Sequence, residues 1–428
     1  MIVERYEELG KSIRRTVTVD GRAFHSSMED VSGLASNSSA WAKWWRSYLL
    51  GAQAQSDGVA SATVTIGDLF CGCGGLTLGA IEAARALGFS VRIRFGVDMD
   101  SQALAVYSHN FAPEWTLQAD VSTLVGYQLR GWGERASFAY PPELLHRRLM
   151  SAVETVDLLL AGPPCEGHSN LNNRTRRKDP RNILYLDAVA IAVALRAKAI
   201  VLENVPEIVH DRTSLFETAV STLKAAGYFV TWGIIAADKL GWPQTRRRLF
   251  LVASRLDIVN IDKVAKALVR KPMGIRWAIE DLADKDGSSF MDSVSKISPE
   301  NRRRIDYLFE NDLYDLPQHE RPSCHRNGHT YPSVYGRLRW DEPSGTITTG
   351  FMSPGRGRFI HPARKRTLTP HEAARLQGFP DWFDFSPGPG IVPSKSDLSK
   401  WIGDAVPTIL GYAAVLSALS GFVQKDRQ

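Results

Sequence analysis

A cysteine and a glutamate, each standing just past an apolar run, are the residues of this chain best suited to chemistry. Cys165 closes Gly162-Pro163-Pro164-Cys165 and follows Val156-Asp157-Leu158-Leu159-Leu160-Ala161, which reads as a buried parallel strand. Two prolines stiffen the backbone before it, so the thiol is aimed. Glu203 opens Glu203-Asn204-Val205 after the apolar Ala199-Ile200-Val201-Leu202. Both residues then sit at the carboxyl ends of strands, the edge where open α/β sheets bind ligands. A thiol beside a carboxylate makes a nucleophile with a general acid. Taken singly, Pro-Cys is a packed small residue and Glu203 a solvated or capping one. Their partners elsewhere in the chain change that reading.

Asp68-Leu69-Phe70-Cys71-Gly72-Cys73-Gly74-Gly75, with Gly79 beyond, lies between a strand and a helix. Glycines there allow a sharp turn and a close approach of backbone to ligand. Asp98 follows the next strand, where an acidic residue hydrogen-bonds a ribose hydroxyl. The spacing matches neither the dinucleotide GxGxxG nor a P-loop. It predicts a nucleoside-bearing cofactor without phosphates. Cys71 and Cys73 read as packing residues, since a C-x-C pair with no second pair is not a metal site.

Gln244-Thr245-Arg246-Arg247-Arg248 precedes the strand Leu249-Phe250-Leu251-Val252. Alternation puts Arg246 and Arg248 on one face and Arg247 on the other. Two guanidinia on one face suit phosphate or carboxylate, or form a solvated rim. Residues 173–181 carry Arg174, Arg176, Arg177, Lys178 and Arg181 against Asp179. A basic loop following Cys165 suits a nucleic-acid backbone.

The elements that must position these residues alternate. Strands are expected at 63–66, 91–97, 156–160, 199–202, 229–232 and 249–252, with helical patterns between several of them. The expected fold is α/β, a Rossmann-like, doubly wound, mainly parallel sheet. Four regions follow: an N-terminal extension and linker (1–61), a catalytic, cofactor-binding domain (62–254), a smaller irregular or β-rich module (255–365) and a return to the first domain (366–428). Within the extension, Trp41–Leu50 is predicted to form an amphipathic helix, docked on the main domain or contacting a partner. Thr369, Pro370 and Glu372 form a capping-box start to a helix stopped by Gly378 and Pro380. A last helix is expected from about 408 to 422.

Composition narrows the classes. The chain has 428 residues, 44% hydrophobic and 23% charged, as in a globular protein. No apolar run long enough to span a bilayer and no secretory signal stand out. Four cysteines are too few for a disulfide scaffold and fit a reduced, intracellular setting. A net charge of +6 points mildly to a polyanionic partner.

In this order, these stretches resemble the cytosine-5 DNA methyltransferases over roughly residues 64–428. The resemblance makes the cofactor S-adenosyl-L-methionine. It places Asp68, Phe70, Gly72, Gly74 and Gly75 in the cofactor loop, with Phe70 stacked on adenine. Asp98 takes the ribose, Met99 and Asp120 lie near the adenine, and Pro163 joins the cofactor site. It makes Cys165 the nucleophile, Glu203 the acid, and Arg246 and Arg248 their companions. Module 255–365 becomes the target-recognition domain. Thr348, with Arg174, Arg176 and Arg177, contacts DNA. Arg375 is implied to be an internal ion-pair partner.

The implied reaction adds the Cys165 thiolate to C6 of a flipped cytosine, protonates N3 from Glu203 and methylates C5. The implied partner is double-stranded DNA, bound by a monomer in the cytoplasm at the nucleoid, with a cognate restriction endonuclease as companion. Three positions depart from the family. Glu166 and His168 stand where Gln and an aromatic are usual, and Asp404 replaces the closing Asn. Asp404 then either favours a cationic sulfonium or caps a helix. An RNA cytosine-5 methyltransferase and a silent DNA-binding relative are the rival readings.

Overall fold

The computed structural model describes residues 1–56, 62–164, 180–211, 213–285, 287, 289–326 and 333–425. Chain order begins with an antiparallel meander, β1 (Ile2–Leu9), β2 (Ser12–Val19) and β3 (Arg22–Glu29), then α1 (Ala40–Leu49) and the short β4 (Gln55–Ser56). The alternating region follows: β5 (Thr63–Leu69), α2 (Gly75–Ala86), β6 (Ser90–Asp98), α3 (Ser101–Phe111), β7 (Trp115–Gln118), β8 (Leu158–Ala161), α4 (Leu184–Ala194), β9 (Ala199–Asn204), α5 (Leu215–Ala225), β10 (Phe229–Ala236) and β11 (Arg247–Ser254). These seven strands form one sheet in the order β10-β11-β9-β8-β5-β6-β7.

Pairings β9–β8, β8–β5, β5–β6 and β6–β7 are parallel, while β11 is antiparallel to both β9 and β10. One strand is therefore reversed among six that run together. The parallel strands are near-continuous apolar runs because both faces are covered. Val64, Ile66, Leu158, Leu160 and Val201 pack toward α2 and the C-terminal helix α10 (Thr408–Lys425). Leu69, Leu159, Ala161, Ile200 and Leu202 pack toward α4 and α5 on the other face.

The α2–α10 contact is backbone-close. A Cβ on Gly79 would lie 2.6 Å from the Tyr412 nitrogen and 2.7 Å from the Thr408 oxygen. The stretch Lys395–Val423, which includes most of α10, is long and apolar enough to resemble a membrane span by composition. However, 94% of its most apolar stretch is buried within the protein, and a core helix is apolar all round for that reason.

Residues 1–56 correct the expectation of an appendage. Their inner face joins the main core through Ile13, Val17, Trp44 and Trp45. Helix α1 is not amphipathic, because Trp41 through Leu49 are all buried. Trp41 stacks on Trp277 at 6.0 Å, and Trp45 meets Trp242 and Tyr412 edge-on. Two charges face inward. The Arg15 guanidinium lies 4.5 Å over the Trp44 ring and 3.7 Å from Glu82 of α2. Tyr412 donates to Glu4 at 2.5 Å.

Segment 255–365 was expected to be irregular or β-rich. In place of β-structure, its described residues hold α6 (Ile261–Ala267), α7 (Pro299–Glu310), short turns and isolated bridges. Val259, Ile261, Val264 and Trp277 belong to the main core, so packing changes later than residue 255. A small separate core gathers Ile305, Leu308, Leu316, Val334, Tyr335 and Ile360. Arginines hold its loops together: Arg358 donates to the carbonyls of Tyr314 and Arg337, and Arg337 to that of Pro362. Helix α8 (Pro370–Gln377) starts with the expected capping box and ends at left-handed Gly378. Arg375 is a buried bridge, bonded to Asp281 at 2.7 Å and Asp381 at 2.5 Å. Helix α9 (Lys395–Asp404) completes the set.

Candidate active site

Parallel register brings the carboxyl ends of β5, β6, β7, β8 and β9 to one edge of the sheet. The glycine loop, Asp120 and Gly162-Pro163-Pro164 follow those ends, and Asp98 and Glu203 lie in the last residues of β6 and β9. Because β11 is reversed, it begins at this edge instead of ending there. Its pairing sets Arg248 opposite Ile235 and Phe250 opposite Glu203. That reversal delivers the arginines to the carboxylate.

Glu203 is buried, and Arg248 Nε lies 2.7 Å from its Oε1. Burial pushes the Glu203 carboxyl above the ordinary range; Arg248 and Arg246 pull the other way, and Asp404 adds to the rise. This environment holds a proton more readily than water does. The Cβ position of Gly162 is 3.6 Å from Glu203 Oε2, so the chain passes the carboxyl three residues before Cys165. Cys165 itself, Glu166, His168, Arg174, Arg176 and Arg177 lie outside the described residues.

Arg246 shares the face of Arg248, and Arg247 is exposed, as alternation requires. Arg246 is buried and donates to the carbonyls of Ile347 and Gly403 at 2.8 Å and of Asp404 at 3.3 Å. It ties the Thr348 segment and the end of α9 to the sheet edge. Gly403 lacks the Cβ that would strike the Thr349 nitrogen at 2.3 Å. Thr348 is half-buried and accepts from the Gly350 amide at 3.4 Å. None of this second tier, including Gln377 on the carbonyls of Ile402 and Ala405, was foreseen. The only sequence signal was an arginine preceding a strand.

The glycine loop divides by role. Gly74 and Gly75 are packing glycines, whose added Cβ would meet the Phe111 ring at 2.1 Å and the Val406 oxygen at 2.8 Å. Gly72, at φ +50°, faces nothing within 4 Å, and open space beside a backbone amide is what a ligand needs. That amide donates to Asp98 Oδ2 at 2.8 Å, while Asp98 Oδ1 accepts from Asp100 N at 2.8 Å. Each oxygen keeps a lone pair for a hydroxyl. Phe70, also left-handed at φ +57°, is half-buried; Met99 is 65% exposed.

Asp120 accepts from Ser122 N at 3.0 Å, and Pro163 is buried. Asp68, also expected in the cofactor loop, is buried beneath it with Thr77 Oγ1 donating at 2.6 Å. Burial, with the Asp98 charge adding, pushes Asp68 up to about 7 against that bond. Cys71 and Cys73 are buried free thiols, and burial raises both out of reach as nucleophiles. Open space over Gly72 beside Asp98 fits a nucleoside, in keeping with a methyl-donor site.

Comparison with known proteins identifies the family. Residues 64–417 match the family model for C-5 cytosine-specific DNA methylase. Type II methyltransferase M1.BsuMI of Bacillus subtilis (strain 168) is 42% identical over 358 residues, covering 83% of this chain and 81% of its own. Type II methylase M.HgiDII of Herpetosiphon aurantiacus is 30% identical over 373 residues, covering 84% and 97%. The solved S. pombe Dnmt2 methyltransferase matches the fold with a TM-score of 0.56 at 16% identity, covering 85% of this chain and 99% of its own. The chain belongs to the C-5 cytosine-specific DNA methylase family.

Proposed function

We propose that this protein methylates C5 of cytosine in double-stranded DNA, with Cys165 as nucleophile and Glu203 as acid. The observation that carries the reading is a buried glutamate, poised between burial and Arg248. It stands at the sheet edge where Gly162-Pro163-Pro164 leads to Cys165. Residues Phe70, Gly72, Asp98, Met99, Asp120 and Pro163 would hold S-adenosyl-L-methionine, which supplies an electrophilic sulfonium methyl. Gly74 and Gly75 shape the loop, and Asp68 supports it from below.

Cytosine C5 is a weak nucleophile. Addition of the Cys165 thiolate at C6 turns the ring into an enamine whose C5 can attack. The addition drives negative charge to N3, where Glu203 delivers its proton. Arg248 keeps the carboxyl from becoming too weak an acid, and Arg246 holds the walls of the site. Loss of the C5 proton to water, expulsion of the thiolate and return of the N3 proton to Glu203 complete turnover. The base must leave the stack, at a cost of a few kcal/mol. Arg174, Arg176, Arg177 and Thr348 would hold the strand by its phosphates. The protein would work as a cytoplasmic monomer on DNA, paired with a restriction endonuclease of the same specificity.

Tritiated methyl transfer to duplex DNA and to small RNA tests this. Transfer to DNA is expected, with Cys165→Ser inactive but still binding DNA, and with a stable adduct on a 5-fluorocytosine duplex. Turnover by Cys165→Ser would remove the covalent route, and transfer to RNA alone would replace the substrate.

A further inference from the structure

The end of α9 carries charges that the reaction chemistry above leaves unassigned. Lys400 Nζ lies 3.6 Å from Asp404 Oδ2 and 3.7 Å from Asp100 Oδ2. Asp100 is itself tied down. It caps α3 by accepting from Gln102 N and Ala103 N, takes the Trp401 indole N–H at 3.1 Å, and donates its amide to Asp98. Asp98 in turn holds the Gly72 amide. Lys400 thus pairs with Asp404 and Asp100, and the charge of Asp98, which holds the Gly72 amide, adds to the same field.

The backbone under this rim is fixed. Gln377 caps the carbonyls of Ile402 and Ala405, Arg246 those of Gly403 and Asp404, and Gly75 packs on Val406. The Lys400 and Asp404 side chains, in contrast, are 57% and 59% exposed. Partial burial works against the Lys400 charge, but Asp404, Asp100 and Asp98 hold it above the ordinary lysine range. Helix α9 also ends here, with the negative pole of its dipole beside Asp404. The resemblance puts a neutral asparagine at this position, so the carboxylate belongs to this chain.

Resting on the methyl-donor reading, we propose that Asp404 and Lys400 set how strongly the site prefers the cationic sulfonium donor over its neutral thioether product. Donor and product are nearly the same shape and differ by one positive charge. A surplus of carboxylate at the rim favours the donor, and Lys400 limits that preference. The pair thereby tunes product release, because a site that held the thioether equally well would be slowed by its own product.

The test is equilibrium binding to the DNA-free protein, by calorimetry, of S-adenosylmethionine, S-adenosylhomocysteine and the cationic, unreactive sinefungin. At an effective dielectric of about 35–70, between a near-surface site and bulk water, one charge about 7 Å away changes the product-to-donor Kd ratio about three- to tenfold. Lys400→Met is expected to raise that ratio and Asp404→Asn to lower it. Lys400→Arg should leave it alone. Sinefungin should follow the donor, and all differences should shrink at 1 M salt. Thermal melting of each variant confirms that it is folded. Equal shifts for donor and product, or a ratio unmoved in both charge-removing variants, overturns the proposal. If the parent protein binds none of the three ligands, the cofactor reading itself falls, and the proposal with it.

Discussion

The pairing of Arg248 with Glu203 makes a quantitative prediction about pH. The two groups meet at 2.7 Å with side chains 12% and 9% exposed. A cation at that range lowers a carboxyl pKa by about 1–3 units. In Arg248→Met, burial acts with only Arg246 and Asp404 left to modify it, so the Glu203 pKa climbs by about that amount. A carboxyl whose folded pKa is raised gives stability that is complete below the unfolded value and is lost as pH rises through the folded value. In the parent the loss stops at the folded pKa; in the variant it continues about 1–3 units higher.

Across that window the stability gap widens by about 1.4 kcal/mol per pH unit, or about 1.4–4 kcal/mol in all. At about 2.1 cal/mol/K per residue, a chain of 428 residues converts 1 kcal/mol into about 1 °C. The assay is the difference in Tm between variant and parent from pH 5 to pH 9. It should grow by about 1–4 °C toward alkaline pH, and vanish as a pH trend when both proteins also carry Glu203→Gln. A difference independent of pH would refute the account of Glu203 as a buried acid balanced by Arg248.

Three further outcomes follow from other parts of the fold. Asp68, pushed up to about 7 from 3.8, costs stability progressively between those values, about 4 kcal/mol in total. Asp68→Asn keeps an acceptor for Thr77, so its Tm should exceed the parent's at pH 8 and the gap should close toward pH 4; a gap flat with pH would contradict this. Gly79→Ala places a methyl 2.6 Å from the Tyr412 nitrogen and should destabilise by about 1–3 kcal/mol, measured as a lower urea midpoint. Arg375→Met leaves Asp381 with His371 alone and Asp281 with Arg46 alone. A loss of about 1.5–3 kcal/mol in chemical unfolding is expected, and an unchanged midpoint would show that the bridge contributes little.

Several elements were readable because local rules agreed with the fold. Each of the six runs expected as strands between 63 and 252 joined the sheet, and the Thr369–Glu372 cap formed as its residue types require. The meander β1–β3 escaped because Glu4 and Arg15 sit on its buried face and break the period-2 pattern. Asp20-Gly21, both at positive φ, was the missed hairpin signal. Helix α1 was read as amphipathic from the helical spacing of its aromatics, which leaves its lysine and arginine for a wet face. Here Lys43 and Arg46 are buried, with partners in Glu8 and Asp281.

What the sequence determined by itself was an inventory: a thiol after one apolar strand, a carboxyl after another, a glycine turn and a run of arginines. Residue type and spacing along a chain are enough for that, because they report local conformation and chemical capacity. Tertiary structure decided which of these act together. Only the reversal of β11 carries Arg248 to Glu203, and only the crossing of α2 and α10 shows Gly79 to be a packing glycine while Gly72 faces open space. Strand direction and burial arise from contacts between residues far apart in the chain, so they leave no mark on the local pattern.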